Sequence, residues 1–85
     1  MMKEDIIVER LQQAFTPVYL KVIDDSHRHK GHAGSRDGAG HYTVIIAAEQ
    51  LSNIPRLAAH REIYRVLHDF IPTQIHALQI QIISP

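Results

Sequence analysis

The sequence predicts an α+β domain in the order α-β-β-α-β, with helices covering one face of a three-stranded mixed sheet. Three observations carry that expectation. Apolar residues recur at helical spacing near the start and again before Pro72; two β-branched runs, at 18–23 and 42–48, bracket a long segment rich in glycine and histidine; and the last stretch alternates between apolar and polar. At 85 residues the chain is expected to form one domain, 1–85, near the lower end of what a single hydrophobic core stabilises.

In the first element, residues 4 to about 15, Ile7, Leu11, Ala14 and Phe15 fall on one helical face, with Glu4, Glu9, Arg10, Gln12 and Gln13 around the rest. Thr16-Pro17 ends it, because proline disfavours helical geometry in the residue before it. Residues 18–23 have strand composition, with Val18, Leu20 and Val22 on one side and Tyr19, Lys21 and Ile23 on the other. Asp24-Asp25-Ser26 then reads as a turn. The second strand covers 42–48, and two consecutive strands around a loop predict an antiparallel pair with the histidines at one tip.

Residues 49–54 are a connection with room for one helical turn. Pro55 suits the first turn of a second helix, with Asn53 as a cap nearby. Ile63, Val66, Leu67 and Phe70 make its apolar stripe, with Ala59 and His60 one turn earlier, and Pro72 stops it. In residues 74–82, His76, Leu78, Ile80 and Ile82 share one face while Gln79 and Gln81 mark the other as wet. A right-handed strand-helix-strand crossover makes this last strand parallel to the second.

Composition excludes several function classes. The chain has no cysteine, so it carries no disulfide, no thiol nucleophile and no zinc or iron–sulfur site made from its own thiolates. Its formal net charge is zero with seven neutral histidines, which gives it no strong overall field for nucleic acid. No apolar run reaches the roughly 20 residues of a bilayer span. The start Met1-Met2-Lys3-Glu4-Asp5 does not read as a signal peptide, so a soluble, cytoplasmic protein is expected. There is no Walker sequence, no nucleophile elbow and no carboxylate pair placed for acid and base work, so the chain does not read as an enzyme.

The chemistry concentrates in residues 26–41, where His27, His29, His32 and His41 stand among glycines and beside Arg28, Lys30 and Arg36. Neutral imidazoles ligate transition metals, and His27, His29 and His32 are close enough for one or two to reach a shared ion; the same residues also suit a solvated loop that becomes cationic as pH falls. His76 has two readings as well: a half-buried histidine packed on Leu78, or a rim histidine with one nitrogen outward as a ligand. Gly31-His32-Ala33-Gly34 has the G-x-x-G spacing with which KH domains hold a nucleic-acid backbone, but it falls between strands rather than helices. His60-Arg61 and His68 read as a helix-core histidine, a surface arginine and a surface histidine.

Taken together, several segments resemble the BolA family: Ala14-Phe15-Thr16-Pro17-Val18, Leu20-Lys21-Val22-Ile23-Asp24-Asp25-Ser26, His29-Lys30-Gly31-His32-Ala33-Gly34, Gly40-His41-Tyr42-Thr43-Val44, His60-Arg61 with Ile63-Tyr64 and Leu67, and Ile75-His76-Ala77-Leu78. The resemblance runs nearly the whole chain and implies a class II KH-like fold. It also implies a monothiol glutaredoxin of the CGFS type as partner, with a bridging [2Fe-2S] cluster. The glutaredoxin and glutathione would give thiolates, and this chain His76 and a loop histidine, His29 or His32, with His27 behind them. Mixed histidine and cysteine ligation has its precedent in Rieske centres. No cofactor is expected in the isolated chain, which should be a monomer or weak dimer.

The alternative is a DNA-binding transcriptional regulator of cell morphology and stress response, using Arg28, Lys30, Arg36, Arg56, Arg61 and Arg65. A stress-linked interaction module with neither cluster nor DNA is a third. Two departures from the family pattern, Leu51-Ser52-Asn53-Ile54-Pro55 before the second helix and Ala59 before His60-Arg61, alter the basic surface and count more against DNA than against cluster sharing.

Overall fold

A computed structural model describes residues 3–26, 40–71 and 75–85, without the side chain of His76. Helix α1 (Lys3–Phe15) leads into strand β1 (Tyr19–Asp24), followed by β2 (Gly40–Ala47), a short helix α2 (Glu49–Ser52), helix α3 (Arg56–Val66), a 3-10 turn (His68–Phe70) and β3 (Ile75–Ile82). The strand order is β1-β2-β3, with β1 antiparallel and β3 parallel to β2. This is the expected α-β-β-α-β mixed sheet, and α2 is the single helical turn that the connection had room for.

Burial follows the two periodicities. Ile7, Leu11 and Phe15 of α1 and Ala59 and Ile63 of α3 are buried, together with Tyr42, Val44 and Ile46 from alternate positions of β2. Leu20 and Val22 of β1 and Leu78, Ile80 and Ile82 of β3 pack against this cluster. The helices therefore cover one sheet face, and the other carries Tyr19, Lys21, Ala77, Gln79 and Gln81, all exposed.

Some boundaries differ from expectation for local reasons. Val18 precedes β1 and is 70% exposed, so it does not share the core with Leu20 and Val22. Pro55, extended at φ −58° and ψ 149°, is itself the N-cap of α3, which has no side-chain cap; Asn53 instead ends α2. At its far end α3 stops at Val66 and tightens into the 3-10 turn, so Phe70 packs from that turn rather than from the helix. Thr16 ends α1 in a left-handed turn, φ 44°, its N–H donating to Gln12 O at 3.0 Å.

Candidate functional site

The end of the sheet where β1 finishes and β2 begins is held by polar side chains. Asp24 Oδ1 accepts the Ser26 N–H at 2.8 Å, the local turn for which an Asx residue is suited. Ser26 Oγ accepts the His41 N–H at 3.1 Å, and Asp25 N–H donates to His41 O at 2.7 Å. The Thr43 hydroxyl donates to the Asp25 carboxylate at 2.5 Å. The three residues read as a turn are thus a clamp. They tie the two ends of the 27–39 segment to one backbone position, His41.

Strand β3 meets the same position irregularly. Gly40 pairs with Ile75 and His41 with Ala77, so one step along β2 spans two along β3, and His76 is the extra residue of a bulge. A bulge changes the phase of a strand and re-aims the residue it carries. Its effect shows in burial: Ile75 is 1% exposed, on the core side, although Leu78, Ile80 and Ile82 also pack there. The unbroken alternation expected from His76 to Ile82 therefore holds only from Ala77 onward. His76 is placed beside His41 on the neighbouring strand, at the root of the histidine-rich segment.

Gly40 fits this corner because it has no side chain. A Cβ there would run into the ring of Tyr42, which is 4% exposed. Burial pushes the Tyr42 phenol above its ordinary pKa, and the negative charges of Asp24 and Glu4 push it the same way, so the ring stays neutral through the physiological range.

Of the sequence candidates, His76 lies on β3 at the bulge. His27, His29, His32, Arg28, Lys30 and Arg36 fall outside the described residues. Arg56, Arg61 and Arg65 are all exposed on α3, and Arg65 is paired with Glu62 at 2.9 Å, which holds its guanidinium still more firmly charged. His60 is half-buried, and His68 is exposed with Nδ1 2.9 Å from Arg65 O. Sequence reasoning did not single out the His41 backbone as the clamped position. The signal available was the Asp24-Asp25-Ser26 run, whose three side chains all turn out to bond.

Among the described residues no three His, Asp or Glu side chains gather into a metal-holding group. A chain without thiolates, with His76 on β3 beside the strand position that the 27–39 segment leads into, suits a minority share of a metal cluster, the remaining ligands coming from elsewhere.

An α-β-β-α-β domain with β1 antiparallel and β3 parallel to β2 is of the class II KH-like type. The family model for BolA-like protein matches residues 11–85, and the chain belongs to the BolA family. It is 38% identical over 80 residues to the DNA-binding transcriptional regulator BolA of Escherichia coli, covering 94% of this chain and 73% of that protein. Two solved structures from Arabidopsis thaliana superpose over the whole chain: the BolA domain of SufE1, with TM-score 0.87, 32% identity and 94% of that chain covered, and BolA1, with 0.85, 30% and 94%.

Proposed function

We propose that this protein is an adaptor that binds a monothiol glutaredoxin of the CGFS type and shares a bridging [2Fe-2S] cluster with it, in iron–sulfur maintenance or iron regulation. The observation that carries this reading is the bulge that sets His76 apart from the regular register, beside the clamped root of a segment containing His29 and His32. His76 and one of those loop histidines would supply nitrogen ligands, and glutaredoxin with glutathione the thiolates this chain lacks. The cluster is held between partners as cargo or as an iron signal. This chain's part is to present unprotonated imidazoles from a fixed corner. The Asp25, Ser26 and Thr43 bonds fix the strand ends, while the segment between them reaches the partner.

Anaerobic titration of the protein into cluster-loaded glutaredoxin, followed by visible absorption and circular dichroism, tests the proposal. A new spectrum saturating at a defined stoichiometry, lost in His76→Ala with the fold intact, is the expected result; an unchanged spectrum sinks it. Separate His29→Ala and His32→Ala variants identify the second ligand. Because ligating imidazoles must be neutral, protons compete with the metal for them and the shared spectrum should fade as the solution is acidified.

A second reading is favoured by the relatives named as DNA-binding regulators and by the exposed Arg56, Arg61 and Arg65 on α3. It predicts DNA binding that weakens steeply with salt as phosphate contacts release counterions. Loss of that binding in Arg56→Ala/Arg61→Ala, with cluster sharing unchanged, would separate the two.

A further inference from the structure

The two edges of the sheet are built differently. Strand β1 carries the exposed Lys21 and ends in Asp24, and edge charges of that kind discourage pairing with other strands. The β3 edge has no such guard: from Phe70 to Pro85 there is no Asp, Glu, Lys or Arg, and residues 75–82 contain no proline. The bulge lies at the start of β3, so from Ala77 to Ile82 the edge runs regularly.

Its hydrogen-bonding phase follows from two contacts. Successive strand residues direct their N–H and C=O groups to opposite sides. Ile83 N–H donates to Ile46 O at 2.9 Å, so the odd-numbered residues face β2. Leu78, Ile80 and Ile82 then direct theirs to the outer edge. The Tyr64 hydroxyl of α3 confirms this phase by donating to Leu78 O at 3.3 Å from outside the β2–β3 ladder.

We infer that β3 is a self-association edge, pairing antiparallel with β3 of a second copy of this chain about a two-fold axis at Ile80. Of the registers the phase allows, this one engages all three outward residues: Ile80 meets Ile80 of the second copy, and Leu78 meets Ile82. Two uncharged edges bring no like charges together. The same register sets Gln79 opposite Gln81 on the wet face, where paired amides donate and accept reciprocally. Leu78, Ile80 and Ile82 meet on the helix side. The two sheets become one continuous sheet, with the two His76 positions about 26 Å apart along the strand direction. Tyr64 acts as a gate, since its hydroxyl occupies one of the carbonyls the second copy needs.

Sedimentation velocity across a concentration series reads the association. It should be weak, because one strand pair buries less than the ~1,200 Å² of a standard interface. Gln79 and Gln81 are exposed, so substitution there spares the core. Gln79→Lys/Gln81→Lys places lysine against lysine and should leave only monomer. Gln79→Glu/Gln81→Lys places opposite charges together and should tighten the dimer beyond wild type, an outcome specific to this register. Tyr64→Phe releases the Leu78 carbonyl and should tighten association by up to about tenfold. Wild type that stays monomeric at about 1 mM, or dimers indifferent to both charge variants, overturns the inference. So does a wild type that stays monomeric while an extended peptide takes the edge.

Discussion

The two ends of β2 solve the same problem, anchoring a central strand between two neighbours, by opposite means. At the Ala47 end the register is regular on both sides, Val18 N–H reaches Ala47 O at 2.8 Å, and Ile46, Ala47, Ala48 and Leu51 are all buried. At the Gly40 end the register slips by one residue on β3, and side chains of Asp24, Asp25, Ser26 and Thr43 do the holding. Apolar burial is non-directional and fixes the fold cheaply. Hydrogen bonds are directional, and they are found where the histidine-rich 27–39 segment leaves β1 and enters β2, so that it starts and ends at set backbone positions.

Core truncation should produce the largest effect and should not discriminate between the ends. Leu11 and Ile63 are both 0% exposed and lie in the one core cluster beneath β2. Leu11→Ala or Ile63→Ala should cost about 2–5 kcal/mol in urea unfolding, a large share of the ~5–15 kcal/mol typical of a domain. A loss below about 1 kcal/mol would mean that α1 and α3 do not share a core with the sheet.

The next effect belongs to the Gly40 end alone. Gly40→Ala drives a methyl group into the buried Tyr42 ring, and overpacking of this kind costs about 1–3 kcal/mol. Because Gly40 pairs with Ile75 at the start of the bulge, the damage should appear in the NMR shifts of Ile75 and Ala77 before those of Ile46. Uniform shifts along β2 would erase the distinction between its ends.

Smaller again is Ser26→Ala, which removes the acceptor for the His41 N–H. The expected loss is about 0.5–1.5 kcal/mol, the usual net worth of such a bond. Hydrogen exchange makes the sharper measurement: the His41 amide should lose protection while that of Val44, inside the ladder, keeps it. Equal acceleration at both would show that the clamp supports the whole strand rather than its end.

The contrast between the ends also explains what the sequence made legible. Helical spacing of Ile7, Leu11 and Phe15, alternation in Tyr42, Val44 and Ile46, and the right-handed crossover rule were enough for the architecture, because each depends on burial and chain geometry alone. The bulge was not legible. Residues 74–82 alternate so regularly as written that parity puts Ile75 with Gln79 and Gln81; only its burial in a cluster with Ile7 and Leu67, against strand partners fixed by Gly40, breaks the phase. His76 was singled out by residue type and position, but its place as the unpaired step of the register depends on two strands at once. Asp24-Asp25-Ser26 announced a turn, and nothing local could announce that its side chains would reach across to His41 and Thr43.

The smallest expected effect concerns the approach to β3 and can be separated by pH. Arg10 of α1 pairs with Asp69 Oδ1 at 2.7 Å and lies 4.3 Å over the Phe70 ring, tying the first helix to the turn that leads towards His76. The hydrogen bond from Arg10 holds the Asp69 carboxyl below its ordinary pKa. A carboxylate depressed in the folded state adds stability above its unfolded pKa, about 3.9, and loses it as pH falls through the folded value. The stability difference between wild type and Arg10→Met should therefore be constant above about pH 5 and shrink below about pH 4, by a small amount because the pair is solvent-exposed. It should not vanish. Arginine stays charged, so its stacking on Phe70 survives in acid, and the difference remaining at about pH 2 isolates that contact. Asp69→Asn removes the titrating group and should flatten the curve at the acid residual. A wild-type difference with no pH dependence would leave stacking on Phe70, and not the ion pair with Asp69, as what Arg10 contributes to holding α1 against the turn.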